Sequence, residues 1–120
     1  MKPRALHGEI SLIDKDYLVS FGSEGSDPGK FSAPQDVAIF PYSHSKSYIL
    51  VADLGNNRVQ ILDQSGNFKF MWGSSGSAYG QFNKPTGIAT DREGNVYVVD
   101  SENNRVQKFL KADIDKHIQQ

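Results

Sequence analysis

The chain repeats itself, and a repeat of this length admits few folds. Phe21-Gly22 returns as Trp72-Gly73, Gly29-Lys30-Phe31 as Gly80-Gln81-Phe82 and Pro34 as Pro85, each 51 residues later. The offset then shortens. Val51-Ala52-Asp53 pairs with Val98-Val99-Asp100, and Asn56-Asn57-Arg58-Val59-Gln60 comes back unchanged as Asn103-Asn104-Arg105-Val106-Gln107, 47 residues on. The first copy therefore carries four extra residues, within 41–47. A shorter echo precedes both copies: Ile10-Ser11-Leu12-Ile13-Asp14 and Tyr17-Leu18-Val19-Ser20-Phe21-Gly22 resemble Ile61-Leu62-Asp63 and Phe68-Lys69-Phe70-Met71-Trp72-Gly73.

Inside each copy the apolar residues come in runs of four to six, rich in Val, Ile, Phe and Tyr and broken by Gly, Asn, Asp or Pro, which is the pattern of short strands. The complete copy reads as four strands: 36–40 (a), 48–53 (b), 58–63 (c) and 67–72 (d). The second copy reads as 86–91, 95–100 and 105–110. Ser65-Gly66-Asn67 and Glu93-Gly94-Asn95 are hairpin turns, since Gly and Asn accept the positive φ such turns need. Four antiparallel strands recurring every 40 to 50 residues are the mark of a β-propeller blade. The chain thus divides into a leader (1–8), a partial blade with strand d and possibly strand c (9–22), a complete blade (23–73), a second blade lacking its own strand d (74–110) and a polar tail (111–120). Residues 113–120 are the only expected helix, polar and frayed.

The chain's 120 residues are the size of one ordinary domain. Charge excludes a broad electrostatic function, with 13 Lys and Arg against 14 Asp and Glu. Without cysteine, thiol nucleophiles, disulfides and cysteine metal sites are ruled out. No signal peptide or transmembrane run is present in the sequence as written, so the chain is expected to be soluble and not exported, with its compartment otherwise unknown.

From Val51 through Gln60 and its twin from Val98 through Gln107, each copy preceded by Gly-x-Phe-x-x-Pro, the chain resembles the NHL-repeat family over residues 17–110. The resemblance implies an all-β fold of four-stranded blades, about two per chain, in propellers that are six-bladed in that family. It also implies a role as an interaction platform, since family members include RNA-binding and partner-binding domains of tripartite-motif ubiquitin ligases and cell-envelope propellers. Related propellers include an amidating lyase and lactonase-like enzymes with a channel metal. Asp36 departs from the pattern, standing where the second copy has Gly87.

The repeated motif has a structural reading. Arg58 and Arg105 follow the b to c turn, where a guanidinium can fork onto Asp53 or Asp100 and onto turn carbonyls. Asn56, Asn57, Asn103 and Asn104 supply left-handed conformations and side-chain caps for the same turn. Repetition in both copies serves the blade rather than one site. Binding is expected instead on the loops of the d to a and b to c face, through Lys30, Tyr79, Gln81 and Lys84, with Phe31 and Phe82 as plugs of their loops. The unrepeated inserted loop with Tyr42, His44 and Lys46 is a second candidate. His7, His44 and His117 fall far apart, no catalytic constellation can be assembled, and neither a cofactor nor a metal is expected.

Two blades leave apolar flanks and open edges in water. The surplus strand d at residues 17–21 matches the one missing after residue 110. Either strand d of one copy completes the last blade of another, with three chains closing a six-bladed ring, or the chain is part of a longer propeller. The expected function is a non-catalytic protein-interaction scaffold that self-assembles through its blade edges, with no membrane role. The alternatives are a single-stranded RNA binder and a propeller enzyme, lyase or lactonase-like, with a channel metal.

Overall fold

The computed structural model describes residues 20–118. Two antiparallel sheets stand side by side. The first runs in the order β1 (Pro34–Pro41), β2 (Ser47–Asp53), β3 (Arg58–Leu62), β4 (Phe68–Trp72), and the second in the order β5 (Pro85–Thr90), β6 (Val96–Asp100), β7 (Arg105–Phe109). Among the described residues one α-helix, α1 (Lys111–Ile118), follows. Sequential hairpins of this kind are propeller blades, with β1 and β5 as their inner strands lying against each other.

Local chemistry explains each turn. The Asp63 carboxylate accepts the N–H groups of Ser65 and Asn67 at 2.9 and 2.8 Å, and Asp91 does the same for Glu93 and Asn95 at 3.0 and 2.9 Å. Gly66 and Gly94 both take φ 90° there, a value side chains rarely tolerate. Between β2 and β3 a one-turn 3-10 helix, Leu54–Asn56, ends on Asn57 at φ 52°. Its twin, Ser101–Asn103, ends on Asn104 at φ 54°. The expected division of labour is therefore sharper than the sequence suggested: the second asparagine of each pair takes the left-handed turn, and the first acts through its side chain.

The core lies between the sheets. Leu50, Ala52, Val59 and Ile61 of the first sheet face Ile88, Val96 and Val98 of the second, all buried, with Phe82 from the connecting loop fully enclosed among them. On the far face of the first sheet a smaller cluster of Val51 and Leu62 is covered by Phe31. Both loop phenylalanines are thus plugs, as their recurrence implied.

Each of the seven strands expected over residues 36–110 forms, with ends moved by one or two residues. The tail differs from expectation. Its helix begins at Lys111 and is docked rather than frayed at the start, because Ile114 and Ile118, four residues apart on one face, are buried in the main core. The Lys111 N–H bonds Asn95 Oδ1 at 3.0 Å. Of the expected strand over residues 17–21, Ser20 and Phe21 lie outside the two sheets, with Phe21 packed against Gly66 of the β3–β4 turn, and residues 17–19, with the rest of the leader and partial blade, lie outside the described residues.

Candidate functional site

The repeated motif folds into the same polar knot twice. Arg58 Nε donates to Asp53 Oδ2 at 2.8 Å, while its Nη atoms reach the carbonyls of Ser26 at 2.8 Å and Lys30 at 2.9 Å. Asp53 also accepts the Ser32 N–H at 2.8 Å and Asn56 Nδ2 at 2.9 Å. In the second sheet Arg105 repeats the bond to Asp100 at 2.8 Å and reaches the carbonyls of Ala78 and Gln81. The Asp100 carboxylate takes donors from Asn83 N and Asn103 Nδ2. Each knot thus ties the incoming loop to its blade.

Burial by itself would raise the Asp100 carboxyl, but the donors from Asn83, Asn103, Arg105 and Gln107 outweigh it and hold the group below the ordinary aspartate value. Asp91 is likewise held down against desolvation by Asn95, Tyr97 and Glu93. Gln60 and Gln107 belong to the same knots and were missed as functional residues: Gln60 Oε1 accepts the Gly29 N–H and its Nε2 donates to the Lys30 carbonyl, a pattern Gln107 repeats on Gly80 and Gln81. The available signal was their identical place two residues after the arginine, on the same strand face.

The loop residues proposed for binding come from two loops of the chain. Lys30 belongs to the loop entering the first sheet, whereas Tyr79, Gln81 and Lys84 belong to the loop entering the second. Lys30 and Lys84 are exposed, and Tyr79 is 97% exposed. Gln81 is turned into its own loop, where Oε1 accepts the Ala78 N–H at 3.1 Å. In the inserted loop Tyr42 is committed to the fold: its ring meets Tyr48 edge-on at 5.4 Å and its carbonyl accepts Lys111 Nζ at 3.2 Å. His44 and Lys46 are exposed. His117 is exposed too, with its ring stacked on Phe70 at 4.3 Å.

Asp36, the departure from the repeat, has a defined task. Its carboxylate accepts the Val37 N–H and, across to the neighbouring blade, the Ile88 N–H, both at 2.9 Å. Among the described residues no three His, Asp or Glu side chains come together as a metal site.

The largest contrast between the copies is at the flanks. Val37 is 58% exposed, whereas its repeat partner Ile88, facing the first sheet, is 7% exposed. On the other side Val59 is fully buried, whereas its partner Val106 is 61% exposed. Val99 and Leu110 are also exposed. Among the described residues no strand pairs with the outer edge of β7, and grooves of about 420 and 470 Å³ run along that edge.

Comparison with known proteins agrees with this architecture. An NHL repeat matches residues 82–109. The chain is 35% identical over 83 residues to Protein brain tumor of Drosophila melanogaster, covering 69% of this chain and 8% of that protein. It is 34% identical over 115 residues to the peptidyl-glycine alpha-amidating monooxygenase of Mus musculus, covering 91% and 11%. It is 41% identical over 51 residues to the E3 ubiquitin-protein ligase TRIM71 of Rattus norvegicus, covering 42% and 6%. The chain therefore spans about a tenth or less of the length of these relatives. Among solved structures it superposes on an auxiliary nutrient binding protein from Bacteroides thetaiotaomicron with a TM-score of 0.53 at 24% identity, over 65% of this chain and 22% of that one, a likeness of fold alone. The chain thus carries an NHL repeat at residues 82–109, and the same motif recurs upstream from Val51 through Gln60 on the first sheet.

Proposed function

We propose that the chain is a non-catalytic scaffold module that binds protein partners, its own copies first among them, through its blade flanks. One observation carries this reading: the exposed flanks are the same two kinds of surface that mate inside the chain. The flank bearing Val37 and Ile39 is the counterpart of the one bearing Ile88, and the flank bearing Val99 and Val106 is the counterpart of the one bearing Ala52 and Val59. Surfaces related in this way associate head to tail, and a rotation that closes gives a ring. Three copies of two blades each make a six-bladed ring. Further blades on a longer polypeptide would cover the same flanks by the same contacts.

The test is to charge one flank. Val37→Glu with Ile39→Glu is expected to bring an assembled chain down to single-chain mass by light scattering while far-UV circular dichroism keeps its β signature. A wild-type chain already monomeric at high concentration would refute self-assembly. The ubiquitin-protein ligase among the relatives is in keeping with a partner-binding role.

The nearly full exposure of Tyr79 on a loop face that also carries exposed Lys30 and Lys84 favours a second reading, single-stranded RNA, by ring stacking and phosphate contact. That reading requires salt-sensitive binding of a short single-stranded RNA, lost in Lys30→Glu and Lys84→Glu. Binding that is unchanged by either substitution would dismiss it.

A further inference from the structure

The first polar knot holds a partner that its twin lacks. A guanidinium has five N–H groups, and those of Arg58 all find acceptors. Nε bonds Asp53, and the Nη atoms reach the carbonyls of Ser26, Asp27 and Lys30 and, at 3.3 Å from Nη1, the thioether sulfur of Met71 on β4. Met71 stands opposite Gln60, whose Nε2 also donates to the Lys30 carbonyl. The sulfur is therefore part of the tie between the first blade and its incoming loop. Arg105, by contrast, bonds only carboxylate and carbonyl oxygens among the described residues. Met71 is half-buried, so its side chain meets solvent while the guanidinium covers one side of the sulfur.

We propose that Met71 is a reversible oxidation site at which Arg58 sets both the stereochemistry and the effect. A thioether sulfur carries two lone pairs. One accepts the Arg58 Nη1 N–H, and Asp53 with the loop carbonyls holds the guanidinium in place, so a peroxide meets the other. The sulfur pair forms a bond to the near peroxide oxygen as the O–O bond breaks. The far oxygen leaves as hydroxide and takes the proton from the transferred oxygen, giving sulfoxide and water; sulfur loses two electrons and the peroxide gains them. The new oxygen points away from Arg58, and the sulfur facing the guanidinium becomes positively polarised. The N–H to sulfur bond is lost and repulsion replaces it. Arg58 shifts, its grip on the Ser26 and Asp27 carbonyls weakens, and the loop over residues 23–31 loosens from the first blade. Reduction of the sulfoxide restores the contact, by a reductase specific for that one epimer. The loop entering the second blade has no such control.

The test treats the full chain with hydrogen peroxide, folded and in urea. Peptide mapping separates Met71 from Met1, the other methionine, and two reductases, one for each epimer, read the stereochemistry. The folded chain is expected to give one Met71 epimer in about fivefold excess or more, and the unfolded chain near-equal amounts. Amide exchange reads the effect. The N–H groups of Gly25, Lys30 and Phe31, bonded within the first loop, are expected to exchange about tenfold faster after oxidation and to recover after reduction. Those of Gly76, Gln81 and Phe82 in the second loop should not change. Met71→Leu keeps a similar apolar volume without the sulfur, and its first loop should be indifferent to peroxide. Equal epimers from the folded chain, or a folded Met71 that resists peroxide sufficient to oxidise it in urea, would overturn the proposal. So would a first loop unmoved by oxidation, loosening of both loops alike, or loosening by peroxide in Met71→Leu.

Discussion

Asp53 and Arg58 show how a repeated motif becomes architecture at the level of single residues. Their pair is almost wholly buried and every strong donor in the knot is used, so removing one partner strands the other charge away from water. Arg58→Ala is expected to cost about 3–5 kcal/mol in urea unfolding. Arg105→Ala is expected to cost clearly less at dilution, because its guanidinium already reaches solvent; an equal or larger loss would contradict the difference in burial. Asp100 adds a pH dependence. Its folded-state carboxyl lies below the ordinary value, so the folded chain holds the charged form more tightly than the unfolded chain does. The stability it contributes is present above the unfolded aspartate value of about 3.9 and is lost as pH falls through the lower folded one. A melting series from pH 7 to 2.5 should fall at its acidic end, and Asp100→Asn should flatten that fall while lowering the plateau. Much of this was legible in the sequence, since Asp, Asn and Arg recur at fixed spacing. The contribution of Gln60 was not, because a buried glutamine looks like a surface one until the loop it holds is in place.

At the level of elements, α1 is the departure from blade logic. Instead of continuing as a strand, the chain turns after β7 and lays Ile114 and Ile118 onto the core, while Lys111 reaches Asp115 at 2.8 Å and the Tyr42 carbonyl of the inserted loop. Ile114→Ala is expected to cost about 2 kcal/mol and to loosen the helix before the sheets, read by amide exchange. Simultaneous loss of protection in both would contradict separate docking. Ala33 makes a second case. It precedes β1 at φ 53°, where a side chain is strained, and Ala33→Gly is expected to leave stability unchanged or raise it by about 1 kcal/mol. The strands were readable because runs of Val and Ile between Gly and Asn fix their ends. The docked helix was not, since its average polarity conceals two isoleucines, and its contact with Tyr42 spans 69 residues of sequence. Asp36 was noted only as an exception, and its bond to the next blade depends on sheet packing that local pattern does not carry.

For the molecule as a whole, the flanks decide the behaviour. The junction between the two sheets excludes water through residues whose repeat partners stand exposed at either end: Ile88 against Val37 on one side, Val59 against Val106 on the other. An open stack of blades with apolar ends and an unpaired strand edge is driven to find more blades. Lys108 moderates this drive, standing where the first copy has Ile61, with Nζ 5.5 Å from the centre of the Tyr97 ring. Lys108→Ile is therefore expected to tighten assembly, seen as a lower concentration for half-association; weaker association would argue that this flank is not the mating surface. Light scattering of the full chain across concentration tests the central claim most directly. The account predicts a discrete species at three times 13.3 kDa, dissociating only on dilution, and a stable, monodisperse chain at 13.3 kDa at every concentration would contradict it.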